Sequence, residues 1–169
     1  IEDHRFYEHS GVDIEGIFRA LLANIQADEI VQGGSTITQQ LIKNAILTST
    51  QTVERKTLDI FLALITESSY SKDEILEMYL NSAYYGAGAY GVSQAANIYF
   101  AKTPENLSLA ESATLAGLLN APSALNPFEN PEACKNRRDL VLKTMAKRGM
   151  ITTTLATNTS NEPIVLRER

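Results

Sequence analysis

Three short stretches of this chain gather side chains that can move protons or hold anions. The first is Glu2-Asp3-His4-Arg5-Phe6-Tyr7-Glu8-His9-Ser10-Gly11, where carboxylates and imidazoles crowd together. Such groups in one segment suit general acid–base chemistry, since each can take or give a proton once its surroundings tune it. The plainer reading is a polar segment that Phe6 anchors to a core.

The second stretch is Gly33-Gly34-Ser35-Thr36-Ile37-Thr38-Gln39-Gln40-Leu41-Ile42-Lys43-Asn44. Two glycines leading into a hydroxyl-rich helix start leave backbone N–H groups facing outward, which favours an anion such as phosphate. Gln39, Gln40 and Lys43 can add side-chain donors. An ordinary N-cap explains Ser35 or Thr36, but not the run of Gln and Lys. A nucleotide P-loop is excluded, because no Lys-Ser or Lys-Thr follows the second glycine.

The third stretch is Arg55-Lys56 followed by Asp59. On a helix both cations lie within one turn of the carboxylate. One reading is an exposed ion pair worth about 0.3–0.5 kcal/mol. The other is a cationic pair facing a diphosphate, with Asp59 orienting it or holding a divalent ion.

Two further patterns carry less. Ser69-Tyr70-Ser71-Lys72 fits the Ser-x-x-Lys of penicillin-reactive enzymes, but no partner motif accompanies it and Ser71 is better placed as a helix cap. Tyr84, Tyr85 and Tyr90 can stack on sugars, although core packing is the commoner fate of such residues.

The elements that must position these groups are helical. Asp13 is placed to cap a helix whose Ile14, Ile17, Phe18, Leu21, Leu22 and Ile25 recur at i, i+3, i+4 spacing. A loop over 27–34 precedes a second helix that starts at Ser35 or Thr36 and runs through Ile46. Leu58, Phe61, Leu62 and Ile65 mark an amphipathic third helix. Capping boxes at Ser71/Glu74 and Ser108/Glu111 open two more. Between them lie a glycine-rich turn at 85–91 and a short helix over 92–100. The last clear helix spans about 131–148, with Gly149 at its C-terminal cap. The tail from Thr152, rich in Thr and Asn, is expected to be poorly ordered. No internal repeat or strand pair is evident, so the fold class is mostly α.

Composition narrows the function. The 169 residues, 44% apolar and 21% charged, suit one domain or a two-lobed one. A net charge of −5 argues against a partner nucleic acid. A single cysteine, Cys134, rules out an internal disulfide framework, and His4 and His9 are too few for a His-rich metal site. The longest apolar run, Ile60 to Ile65, falls far short of the roughly 20 residues that span a bilayer. There is no signal peptide, and residue 1 is not Met, so the sequence reads as a piece of a longer protein.

Taken in order, the clusters resemble the glycosyltransferase domain of class A penicillin-binding proteins and their monofunctional relatives, glycosyltransferase family 51. The first matching motif is Glu2-Asp3-x-x-Phe6-x-x-His9-x-Gly11, and the second is Gly34-Ser35-Thr36-Ile37-Thr38-Gln39-Gln40. Arg55-Lys56-x-x-Asp59 resembles the third, and Lys72-x-x-Ile75-Leu76-Glu77-x-Tyr79-Leu80-Asn81 the fourth. The fifth is Ala116-Gly117-Leu118 with Ala121-Pro122-Ser123, Asn126-Pro127 and Arg137-Arg138-x-x-Val141-Leu142. The match covers residues 1–150, leaving 151–169 as a tail or linker toward a following domain.

The resemblance implies a lysozyme-like, two-lobed helical fold with a head and a smaller membrane-facing jaw. It implies transfer of a polyprenyl-diphosphate-linked glycan onto the 4-hydroxyl of lipid II, with inversion. Glu2 would be the general base and Asp59 a second carboxylate of the catalytic set. Arg19, Ser35, Thr36, Gln39, Gln40, Lys43, Arg55 and Lys56 would bind substrate and its diphosphate. No metal held by the protein alone is implied, although a divalent cation, Mg or Mn, can assist. The expected setting is the extracytoplasmic face of the bacterial cell membrane, with an anchor outside this sequence and a transpeptidase domain in the full-length chain.

Two departures stand out. Asp59 occupies a position where the family carries Glu, which draws the carboxylate back by one methylene. Gln51 stands where many relatives have Arg. Two rival readings remain open: a lysozyme-like glycan hydrolase, and a catalytically weak module that only binds lipid II. Cleavage calls for no cationic diphosphate pocket, which sets Lys43, Arg55 and Lys56 against the first rival.

Overall fold

The computed structural model describes residues 1–27, 34–46 and 53–168, with the backbone alone at 21, 23, 24, 26, 27 and 53–55. The regular structure of the described residues is helical, and the only β-pairing among them is an isolated bridge between Tyr84 and Tyr90. The chain divides into two compact units, Glu2–Ser82 and Ala83–Arg169, with Ile1 grouped with the latter.

The first unit holds α1 (Ile14–Ala27), α2 (Ile37–Ala45), α3 (Val53–Ser69) and α4 (Lys72–Ser82). Helix α2 is its hub, packing on both α3 and α4. Local chemistry sets the starts. Asp13 caps α1 by accepting the Gly16 N–H at 2.9 Å. Thr36 and Gln39 form a full capping box on α2, and Ser71 and Glu74 exchange the same pair of bonds at α4. Each cap satisfies backbone donors that the first turn leaves unpaired.

The apolar periodicity of α1 and α3 leads to a different outcome from core burial. Ile14, Phe18, Leu22 and Ile25 of α1 are exposed, as are Leu58, Phe61, Leu64 and Ile65 of α3. Periodicity identifies residues that share a face, and it cannot say what that face meets.

The second unit holds α5 (Val92–Phe100), a 3-10 turn at Pro104–Asn106, α6 (Leu109–Leu118), α7 (Pro131–Lys147) and α8 (Thr153–Asn161). Helix α7 packs against both α6 and α8, burying Ala113, Val141, Leu142 and Ala156 together. The tail expected to be poorly ordered is instead helical. Thr152 caps α8 by accepting the Leu155 N–H at 3.1 Å, and burial of Ala156 and Thr159 outweighs the low helix propensity of a Thr- and Asn-rich segment. Beyond it the chain has no regular structure, and the Arg167 N–H donates to the Tyr99 carbonyl at 2.8 Å.

The turn after α4 requires glycine at one point. Gly86 has φ +86, and a Cβ there would sit 2.5 Å from the Pro122 carbonyl oxygen. Tyr85 is core, 1% exposed, and burial pushes its hydroxyl well above the ordinary tyrosine value. The Tyr84 and Tyr90 rings lie tilted against each other with centroids 4.8 Å apart, and Tyr90 is largely exposed.

Candidate active site

Within the first unit a cleft is lined by Glu2, Asp3, His4, Asp13, Gly16, Arg19, Gly34, Ser35 and Thr36. The cleft opens to solvent on one side.

The acidic loop is held in place by a chain of hydrogen bonds. Asp3 Oδ2 accepts the Ile37 N–H at 3.0 Å and lies 2.9 Å from His9 Nε2. The Gly11 N–H donates to His9 Nδ1 at 3.2 Å. Because Nδ1 accepts, the ring proton sits on Nε2 and points at Asp3. The Thr36 hydroxyl donates to the Gly11 carbonyl at 2.6 Å, closing the loop onto the start of α2. Glu2 is thereby fixed next to the anchored Asp3.

This arrangement corrects the expectation of an anion site at the start of α2. The Ile37 amide already faces Asp3, and the Thr36 and Gln39 amides are used within the capping box. The positive end of the helix is occupied by the protein's own carboxylate, which is where a negative group is most stabilised.

Cations flank Glu2 from other elements. Arg19 Nη1 lies 3.0 Å from His4 Nε2, and its Nη2 lies 3.8 Å from Asp13 Oδ2. Lys56 of α3 donates to Ser35 Oγ at 3.1 Å, so its ammonium reaches the cleft wall. Glu2, Arg19, Ser35, Thr36 and Lys56 are thus gathered at one place.

Other expected residues are not. Gln39 is 3% exposed, and its Oε1 accepts the Thr36 N–H at 3.1 Å, so it acts as a cap. Its Nε2 is buried with no hydrogen-bond partner among the described residues. Gln40 accepts the Tyr79 hydroxyl at 3.0 Å. Lys43 is exposed in the last turn of α2 and does not line the cleft. Asp59 sits half-buried on α3, one turn from Lys56, with one carboxylate oxygen inside the protein. The Arg55 side chain and Gln51 lie outside the described residues.

Asp13 was legible only as a cap, yet it is also a wall of the cleft. Burial alone would raise its carboxyl, but the Gly16 N–H and the Arg5 and Arg19 guanidiniums outweigh that and hold it below the usual range. It is therefore a fixed anion and not an acid that could protonate a leaving group. The Ser-x-x-Lys pattern is spent structurally: Ser71 caps α4, and Lys72 pairs with Glu67 at 2.7 Å.

Among the described residues, no group of three or more His, Cys, Asp or Glu side chains is placed to hold a metal ion. Asp59 offers a single carboxylate, so any ion there would need most of its oxygens from a bound diphosphate.

A helical unit that sets a carboxylate in one cleft with an arginine, and a lysine at the cleft wall, has the makeup of an enzyme moving a glycosyl group. A transglycosylase family model matches residues 1–146. The chain is 47% identical to penicillin-binding protein 1A of Aquifex aeolicus over 167 residues, covering 99% of this chain and 23% of that protein. It is 46% identical to penicillin-binding protein 1F of Bacillus subtilis over 151 residues, covering 89% and 21%. A 2.6 Å crystal structure of penicillin-binding protein 1A from Haemophilus influenzae aligns with a TM-score of 0.56 at 41% identity, covering 62% of this chain and 16% of that one. The chain thus spans about a fifth of the length of the curated relatives it matches. It belongs to the transglycosylase family, the peptidoglycan glycosyltransferase domain of class A penicillin-binding proteins.

Proposed function

We propose that this domain polymerises lipid II into glycan strands, releasing polyprenyl diphosphate with inversion at the donor sugar. The observation that carries the reading is the shared cleft: Glu2 and Arg19 line it together with Ser35, which holds the Lys56 ammonium. In the step, the acceptor 4-hydroxyl oxygen bonds to the donor anomeric carbon. The bond from that carbon to the diphosphate oxygen breaks, and its electron pair leaves with the diphosphate. Glu2 takes the hydroxyl proton, because a sugar hydroxyl is too weak a nucleophile to attack with its proton in place. Arg19 and Lys56, joined by Arg55 from the same helix as Lys56, stabilise the charge that builds on the diphosphate. Asp59 orients the Arg55-Lys56 pair. Ser35 and Thr36 shape the cleft, and Gln39 and Gln40 support its wall from within α2.

A divalent cation, Mg or Mn, would supply further charge neutralisation when shared between Asp59 and the diphosphate; no step above depends on it. Hydrolysis is the weaker reading, because cleavage calls for no cationic diphosphate site, whereas Arg19 lines this cleft and Lys56 reaches its wall through Ser35. Radiolabelled lipid II separates the two. Polymer formed without added glycan supports transfer, and fragments released from purified sacculi would establish hydrolysis instead. Running the assay with and without magnesium or manganese reads the ion requirement. Restoring Glu at 59 and Arg at 51 tests the binding-module rival: lipid II binding without polymer in both parent and double variant would favour it.

The exposed apolar faces of α1 and α3 support a membrane-surface setting. No helix among the described residues is long and apolar enough to cross a membrane. Yet Phe18 and Leu22 are 62% and 60% exposed on one side of α1. We place these faces against the extracytoplasmic membrane surface that holds lipid II, with the anchor and a transpeptidase domain elsewhere in the full-length protein. Replacing both Phe18 and Leu22 by Ser is expected to weaken liposome binding about tenfold or more, since each loses an insertable apolar side chain. Unchanged partitioning in a sedimentation assay would remove the membrane from this face.

A further inference from the structure

Glu67 lies near the end of α3, outside every stretch that the sequence singles out, yet three elements converge on its carboxylate. Its Oε1 accepts the Thr38 hydroxyl of α2 at 2.5 Å and the Lys72 ammonium of α4 at 2.7 Å. The Glu67 side chain is 7% exposed and that of Lys72 20%. The same ammonium lies 4.4 Å from the centre of the Phe6 ring. Gly11, with φ +90, packs its backbone against α3 at Glu67 and Ala63: a Cβ there would be 3.0 Å from Glu67 Cγ and 3.1 Å from the Ala63 carbonyl. The acidic loop therefore meets Lys72 at Phe6 and Glu67 at Gly11. The same pair grips the first turn of α2, where Asp3 docks.

We infer that the Glu67–Lys72 pair positions the catalytic carboxylate, fixing the loop 2–11 against α2 so that Glu2 meets the acceptor hydroxyl. Neither side chain lines the cleft, so both act through the loop. The inference rests on the reading of Glu2 as the base. Removing Lys72 leaves the Glu67 carboxylate, 7% exposed, without its counter-charge, which favours a shift of the neighbours that hold it. Proton transfer is sensitive to such a shift, whereas long cationic side chains follow a diphosphate over larger distances.

The test is a kcat and KM comparison for lipid II polymerisation in the full chain. Lys72→Met is expected to lower kcat about 10- to 100-fold, the cost of roughly an ångström of misplacement. KM should stay within about twofold, since diphosphate binding is untouched. Lys72→Arg, which can both pair with Glu67 and stack on Phe6, should recover most of kcat. Lys135→Met breaks the comparable exposed pair with Asp139 and should change neither constant. If Lys72→Met does not fold, Glu67→Gln keeps an oxygen for both donors and carries the same expected split. A folded variant with parental kcat, a loss confined to KM, or no recovery with Arg would overturn the inference. Glu2→Gln run alongside separates the failures: turnover in that variant sinks the base reading, whereas an inactive Glu2→Gln beside a fully active Lys72→Met sinks the positioning role alone.

Discussion

Glu2→Gln is expected to reduce lipid II polymerisation by about 10²–10⁴-fold, the range that a positioned general base contributes. The substitution keeps the size of the side chain and its place beside Asp3, but an amide cannot accept the acceptor's proton at neutral pH. The loop should hold its place, since Asp3, His9 and Gly11 keep their own hydrogen bonds in the variant. Circular dichroism, thermal midpoint and lipid II binding should therefore match the parent, and the loss should fall on kcat. That combination distinguishes a missing base from a damaged cleft, which would raise KM as well.

Asp59 is the alternative carrier of that role. It shares a helix with Lys56, whose ammonium reaches the cleft through Ser35. Asp59→Asn measured beside Glu2→Gln ranks the two carboxylates. Substantial turnover with Gln at position 2 but none with Asn at 59 would reassign the base to α3.

What the sequence made legible was local. Asp13, Thr36, Ser71 and Ser108 each cap a helix through bonds spanning three residues, and spacing within one turn is what periodic reading detects. The cleft was legible as a set of residue types, but its assembly was not. Asp3 reaches Ile37 across 34 positions, and Thr38 reaches Glu67 across 29. Nothing in the intervening chain encodes either meeting. The same limit explains Gln39, whose type suggested a ligand donor while its place made it a cap. It explains α8 as well, where burial of Ala156 and Thr159 overrode a loop-like composition. Exposure was the other blind spot, because Phe18 and Phe61 fit a buried stripe as well as an outward one.

Arg138→Met is expected to cost about 3 kcal/mol, the largest stability loss predicted for a single change in the second unit. The guanidinium is fully buried. It donates from Nη1 to the Glu162 carbonyl and from Nη2 to the Ser160 carbonyl, both at 2.8 Å, and from Nε to Asp139 at 2.9 Å. Those carbonyls close the end of α8, so one side chain of α7 both caps that helix and holds it down. Methionine fills much of the volume but leaves the carbonyls without a donor. At about 2–4 °C per kcal/mol for a chain of this size, the thermal midpoint should fall by roughly 6–12 °C. The loss should depend on pH. Burial alone would raise the Asp139 carboxyl, but Lys135 and Arg138 outweigh it and hold it below the usual 3.8. A carboxyl lowered in the folded state stabilises above its unfolded value, and that contribution disappears as pH falls through the folded one. The parent should therefore lose more than the variant on acidification below about pH 4, narrowing the gap between them. A midpoint within about 2 °C of the parent at neutral pH would mean that packing along α7 and α8, and not the buried arginine, keeps the end of the chain in place.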